Sequence, residues 1–260
     1  MAGTKTTSKN TKAPAPRMTA AEAMREREKA GSAQTRKTYA RHGAEEPMFG
    51  VSFETLKKLM KRIGVDQELA LALWDTGNFD ARNLAMKIAD PARMTPADLD
   101  RWASDFCARM CGDYVGMLAA EGPHAAAKAK QWLAAPAGPV RTAGWALLGH
   151  LTLRDETMPD AWFLERLAYI EKNIHAAPNA EREGMNKAVI AIGCRNAALR
   201  KAASAAAKRI GKVDVDYGDT ACKTPEAAET IEKAWAHSTS RGFESPAAHE
   251  RTREVPRRRC

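Results

Sequence analysis

Apolar residues recur every three or four positions along most of this chain, the spacing that turns one face of a helix inward. The segment 51–63 places Phe53, Leu56, Met60 and Ile63 on one stripe, and 67–75 and 79–89 follow, the latter with Ala81, Leu84, Ala85 and Ile88 inward. Thr95, Pro96 and Asp98 form a helix start, with a capping hydroxyl, proline at the first turn and an acid near the positive end of the dipole. They lead into Leu99, Trp102 and Phe106. Further helices are predicted at 111–120, 123–134, 138–152 and 159–175, the last using Phe163, Leu167, Ile170 and Ile174. Two more lie back to back: Met185, Val189 and Ile192 mark the first, and Leu199, Ala203, Ala206 and Ile210 the second. Asn196 is placed to cap that second helix and Gly211 to end it. Thr224 as cap, Pro225 in the first turn and Glu226 on the dipole open a final helix through Trp235.

No segment reads as a convincing strand. The run 213–217 alternates, but it is short and charged. Short loops make neighbouring helices antiparallel. The expected architecture is all-α, a HEAT-like α-solenoid of about ten or eleven antiparallel helices, with an irregular helical bundle as the alternative. Aromatic residues make up only 6% of the chain, so the core is built on alanine and leucine, which suits packed helices.

Charge divides the chain into tail, body and tail. Residues 1–41 hold ten Lys/Arg against three Asp/Glu, and 241–260 hold six Arg against three Glu. The formal net charge of +9 therefore sits on the ends, and the residues between are one charge negative of neutral. The expected organisation is a basic disordered tail at 1–46 with capacity for a transient helix at 19–30, a helical domain at 47–237, and an Arg-rich disordered tail at 238–260. The N-terminus has no apolar signal segment, and no 18-residue apolar run is present. With five cysteines at irregular spacing, a reduced, cytoplasmic chain is the natural reading.

Catalytic and ligand motifs are sparse. Cys107 and Cys111 are four apart, no CxxC pair occurs, and neither a glycine-rich phosphate loop nor a nucleophile elbow is present. Neither metal nor cofactor is expected.

Three blocks carry a family likeness: ASDFCARMCGDYV at 103–115, PVRTAGWALLGHL at 139–151, and 173–226 with IHAAPN, MNKAVIAIGCRN and DYGDTACKTP. Together they resemble the DNA alkylation repair family, the AlkD-like HEAT-repeat DNA glycosylases and their relatives, over roughly 50–237. The resemblance implies a C-shaped helical solenoid whose basic concave face holds duplex DNA. Active members release N3- or N7-alkylated purines without flipping the base into a pocket.

The family site is a Trp, an Asp four residues later, and an Arg on a following helix. One register puts Asp113 at the Asp and Arg109 at the Trp. A second matches Asp105 to the acid that often follows the Trp, with Ser104 at the Trp and Ala108 at the Asp. Thr142 falls at the Arg position, and Arg141 is one residue early, a shift of about 100° around a helix. Departure of an alkylated purine leaves positive charge on the sugar, which a carboxylate stabilises. Asp113 is thus the candidate catalytic residue. Arg109 would set a cation against that charge, pair with Asp113 at i, i+4, or reach a phosphate.

Candidate DNA contacts are Arg109, Arg141, Trp145, Arg195, Arg200, Lys201, Lys208 and Arg209, weighed against solvated helix faces and a surface stack of Arg141 on Trp145. Lys57, Lys58, Lys61 and Arg62 read first as a solvated face, and Trp102, Trp132 and Trp162 as core. Two readings follow: a DNA-binding protein of this family acting as an alkylpurine N-glycosylase through Asp113, or a non-enzymatic damage binder or interaction scaffold on the same fold. The constellation 109/113/142 is incomplete, which favours binding over excision.

Overall fold

A computed structural model describes residues 17–105 and 109–258, the side chains of Arg109 and Met110 excepted. Among the described residues every regular element is helical. The predicted body is present as eleven helices: α3 (Phe53–Ile63), α4 (Gln67–Asp75), α5 (Phe79–Ile88), α6 (Pro96–Ser104), α7 (Arg109–Ala120), α8 (Ala125–Leu133), α9 (Pro139–Arg154), α10 (Asp160–Asn173), α11 (Asn179–Gly193), α12 (Ala197–Ile210) and α13 (Ala227–Thr239). They are preceded by α1 (Ala20–Ala30) and α2 (Ala33–Arg41) and followed by α14 (Pro246–Arg251).

Local chemistry sets the boundaries. Thr95 Oγ1 accepts from Asp98 N at 3.1 Å with Pro96 in the first turn, and Asn196 Oδ1 accepts from Leu199 N at 2.9 Å. Gly211 ends α12 at φ 71°, a conformation that favours glycine. At α13 the start lies further along than predicted. Glu226 is itself the cap, its carboxylate accepting from the backbone N–H of Ala228 and Glu229.

The helices pack in two rows. Helices α5, α7, α9, α11 and α13 form one row, each against the next, while α4 packs on α5, α6 on α7, α8 on α9, and α12 on both α10 and α11. This is the arrangement of stacked helix pairs. The core runs along the whole stack and includes the flat pair Trp74 and Trp102, with centroids 4.1 Å apart, and the buried Trp132 and Trp145. Trp162 is only half-buried, set edge-on to Phe163 and under Arg166.

Both ends depart from the expectation of disorder within the described residues, while 1–16 and 259–260 lie outside them. Thr19 and Glu22 form a capping box on α1, Ala23 and Arg27 are fully buried, and the Tyr39 hydroxyl on α2 donates to Val51 O at 2.6 Å. Arg27 shares its surroundings with the buried Asp80, whose carboxylate accepts from the N–H groups of Phe49, Gly50 and Val51. Burial pushes the Arg27 guanidinium down to about 10.

The C-terminal segment is a strap laid across the ends of the first row. Ala247 N donates to Cys194 O at the end of α11, and Arg154 at the end of α9 donates to Glu250 O. Arg257 is 2% exposed and donates to Met86 O, Lys87 O and Glu121, while Lys87 Nζ donates to Arg257 O at 2.9 Å. The last turn of a helix leaves carbonyls without intrahelical partners, and cations are favoured there. The arginines of the tail answer that need, which is why a charged tail folds.

Candidate functional site

Asp113 lies on α7, the second helix of the first row. Facing it is Lys187 of α11, whose Nζ donates to Asp113 Oδ2 at 2.8 Å and pairs with Glu183 Oε1 at 3.1 Å. Burial works against the Lys187 charge, but the carboxylates of Asp113 and Glu183 outweigh it and hold the ammonium above its ordinary range. These groups sit at a cleft of about 260 Å³ between α7, α9 and α11, lined also by Met117, Trp145, Gly149 and His150. Burial carries the His150 imidazole down to about 4, against the raising pull of Asp113 and Glu250, so it is neutral at neutral pH.

The other members of the motif are turned to structural work. Thr142, at the family's Arg position, is buried and donates to Gly138 O at 3.0 Å. Arg141 Nε donates to Glu181 Oε2 at 2.7 Å, and the same carboxylate accepts from Gly138 N at 2.9 Å. Arg141 thus ties the start of α9 to the start of α11. It does not stack on Trp145, which is 1% exposed and stacks on Tyr169 with centroids 5.9 Å apart. Arg109 is the first residue of α7, and its side chain lies outside the described residues. Asp105, the alternative acid, accepts from Arg82 at 2.5 Å.

The predicted basic cluster divides. Arg195 is buried, donating to Thr152 O at 2.8 Å, Asp155 O and Met158 O, with Asp160 beside it. Its guanidinium gathers carbonyls from the last turn of α9 and the loop after it, so it and Trp145 are corrected from DNA contacts to core residues. Arg200 pairs with Glu232 over the face of Trp235, and Arg209 pairs bidentately with Glu171. Lys201 and Lys208 are exposed. All four lie on α12, in the opposite row from Asp113, so the structure does not bring them to the same cleft. Lys208 instead borders a second cleft of about 580 Å³ with Lys212 and Lys223, between α12, the segment 211–226 and the start of α13. Asn179 pins that segment through two hydrogen bonds with the backbone of Asp216, so the turn carrying Asp216 and Asp219 is a fixed connection.

Among the described residues no three His, Cys, Asp or Glu converge as a metal site, and no helix is long and apolar enough to cross a membrane. Cys111 and Cys194 are buried, burial pushing the Cys194 thiol up to about 12, and Cys222 is exposed. The sequence reading missed Lys187, Gly149 and His150. The Gly149–His150 pair was in view inside the 139–151 block, as a glycine within a helix beside a titratable ring.

Paired helices in two rows, with an acid of one row held at a cleft between three of its helices, define a HEAT-like repeat protein of the glycosylase-related kind. The sequence profile described as "DNA alkylation repair enzyme" matches residues 23–231, and the chain belongs to that family. Two curated relatives, the uncharacterized proteins Lmo0209 of Listeria monocytogenes and Lin0241 of Listeria innocua, are each 28% identical over 207 residues, 77% of this chain and 90% of theirs. A solved structure described as "A new family of proteins related to the HEAT-like repeat DNA glycosylases with affinity for branched DNA structures" superposes with a TM-score of 0.76. It is 31% identical, over 87% of this chain and 96% of that one.

Proposed function

We propose that this protein binds DNA, branched DNA in preference to linear duplex, and does not excise alkylated bases. The observation that carries the reading is the bond from Lys187 to Asp113 at 2.8 Å. A carboxylate stabilises a sugar cation only while its charge is available to it. Here that charge already answers an ammonium on the neighbouring helix. Thr142 supplies no guanidinium at the remaining family position. The solved relative's affinity for branched DNA supports the choice of substrate.

Phosphate contacts would come from the exposed face of α12. Lys201 and Lys208 are exposed there. The ion pairs of Arg200 and Arg209 are exposed enough to exchange for phosphate, since such pairs contribute only about 0–1 kcal/mol. A DNA substrate fits the cytoplasmic location expected from the sequence.

The test is a mobility-shift titration of the full chain on a three-way junction and a linear duplex of equal length, alongside an excision assay on duplexes holding N7-methylguanine and N3-methyladenine. The junction should bind more tightly and no abasic product should form. Release of either base, lost in Asp113→Asn, would restore the glycosylase reading. Failure to bind any DNA would favour an interaction scaffold.

A further inference from the structure

The longest connection between the described helices is the segment 211–226, from the end of α12 to the start of α13. It forms neither helix nor strand, and within it only Val213 is buried. Irregular connections longer than about 12–15 residues are uncommon in compact domains and usually carry function. Ordering this much chain costs conformational entropy that one buried valine does not offset. The segment is nonetheless fastened. Asn179, Arg182 and Asn186 lie at helical spacing on one face of α11, and each donates to one of its carbonyls: Asp216 O at 2.7 Å, Asp214 O at 2.8 Å and Pro225 O at 3.0 Å.

What this fastening holds open is the cleft of about 580 Å³, which shares no residue with the cleft of Asp113. Its size falls within the roughly 300–1,000 Å³ of sites that take small molecules. Residues of α11, α12, α13 and the segment all line it, so it is a recess and not a groove along which a strand could run. Lys208, Lys212 and Lys223 border it. Lys212 pairs with Asp214 at 2.6 Å, both largely exposed, and such a pair exchanges readily for another anion. Lys208 and Lys223 have no carboxylate within ion-pair distance among the described residues. Glu226 is engaged with the N–H groups of Ala228 and Glu229. Asn186 is the one polar residue of the lining that is buried, at 2% exposure. Its amide N–H is committed to Pro225 O, and its amide oxygen, on the cleft, has no donor among the described residues. Buried acceptors are normally satisfied, so an open one beside a cleft points to a donor on a ligand. Val213, Val215, Pro225 and the Tyr217 ring supply apolar surface to the same space.

We propose that this cleft binds a free nucleoside monophosphate. The two uncommitted ammonium groups of Lys208 and Lys223 match the roughly −1.5 to −2 charge of a phosphate monoester at neutral pH. The apolar walls and the Tyr217 ring cover the faces of the base, as small-molecule sites combine apolar surface with a few placed polar groups. The Asn186 oxygen accepts from an amino or ring N–H on its edge. The proposal stands apart from the DNA-binding reading, and no base of a DNA strand enters the cleft.

The test titrates the full chain by calorimetry with the 5′-monophosphates of adenosine, guanosine, cytidine and uridine, with the matching nucleosides, and with inorganic phosphate. At least one monophosphate should bind one-to-one, at least about ten-fold more tightly than its nucleoside and than phosphate, the scale of one charged hydrogen bond. Lys212→Ala with Lys223→Ala alters exposed side chains alone, so the circular dichroism spectrum should be unchanged while that monophosphate binds about ten-fold more weakly. Asn186→Leu should weaken the monophosphate and leave inorganic phosphate as it was, which separates recognition of the base from a patch of positive charge. The proposal is overturned if no monophosphate binds at millimolar concentration, or if the double lysine variant binds as the wild type does. Inorganic phosphate binding as tightly as every monophosphate would overturn it as well.

Discussion

Lys187 Nζ lies 2.8 Å from Asp113 Oδ2, so an ammonium on α11 neutralises the α7 carboxylate that the family resemblance marks as the stabiliser of a sugar cation. Lys187→Ala should lower stability by leaving Asp113 and Glu183 without their shared cation. Asp113→Asn added to it should recover part of the loss. Both partners are partly exposed, so a double-mutant cycle read by urea unfolding should give a coupling of about 1 kcal/mol.

Arg195 spends its donors on backbone carbonyls. Arg195→Ala should cost roughly 2–4 kcal/mol, because several buried acceptors lose a charged donor at once. Arg195→Lys should restore only a fraction, since one ammonium cannot span the acceptors the fork reaches. Below their melting temperatures both variants should bind DNA as the wild type does, which a mobility shift checks.

Arg257→Ala should destabilise the fold by roughly 3–5 kcal/mol, the scale for breaking a buried pair from one side. Burial raises the Glu121 carboxyl even with Arg257 beside it, so it will be left badly placed without its partner. Arg257→Ala with Glu121→Gln should melt higher than Arg257→Ala alone. An unchanged melting temperature in Arg257→Ala would mean the strap contributes nothing.

His150 gives a stability change with a definite sign. Burial lowers its folded value to about 4 from an ordinary 6.5, so between these values the unfolded chain binds more protons. Its contribution is therefore complete above about pH 6.5 and is lost as the pH falls toward 4. His150→Gln should flatten the loss of stability between pH 6.5 and 5, where few carboxylates titrate. Equilibrium unfolding at several pH values measures it.

Lys201→Ala with Lys208→Ala should weaken binding to every DNA and reduce the slope of log K against log salt by about 0.9 for each phosphate released from duplex. An unchanged slope would move the phosphate contacts off α12.

The body of the fold was legible because its helices carry both signals that sequence offers, apolar spacing and capping residues. Leu56, Leu84 and Leu199 are buried where their stripes place them. The ends were not legible because they bury little that counts as apolar. Ala23, Tyr39 and Ala247 stand among arginines, and Arg27 and Arg257 are themselves inside. Patterning assigns every arginine to solvent, although its long stem packs and its donors can satisfy carbonyls. The same error placed Arg195 on a DNA face. The order Gly193, Cys194, Arg195, Asn196 held a usable clue, an arginine between a helix end and a helix cap, where backbone groups are crowded and unpaired. Asp113 was found through the family blocks, but its partner is 74 residues away, beyond any local pattern. Gly149 and His150 needed three helices in place before the space between them existed.

The strap has a consequence for how the chain comes into being. In a linear array each repeat leans only on its neighbours, so an open stack can fray from either end, one pair at a time. Lys87 and Arg257, 170 residues apart, close this array into a loop. Domains emerging from the ribosome usually settle from the N-terminus onward. Here the end of α5 waits for residues made 170 positions later before its buried lysine has this acceptor. The nascent chain therefore passes through a long interval in which most repeats are stacked and the clasp is missing. Once Arg257 docks, α5 cannot leave the stack without breaking its bonds to the strap as well.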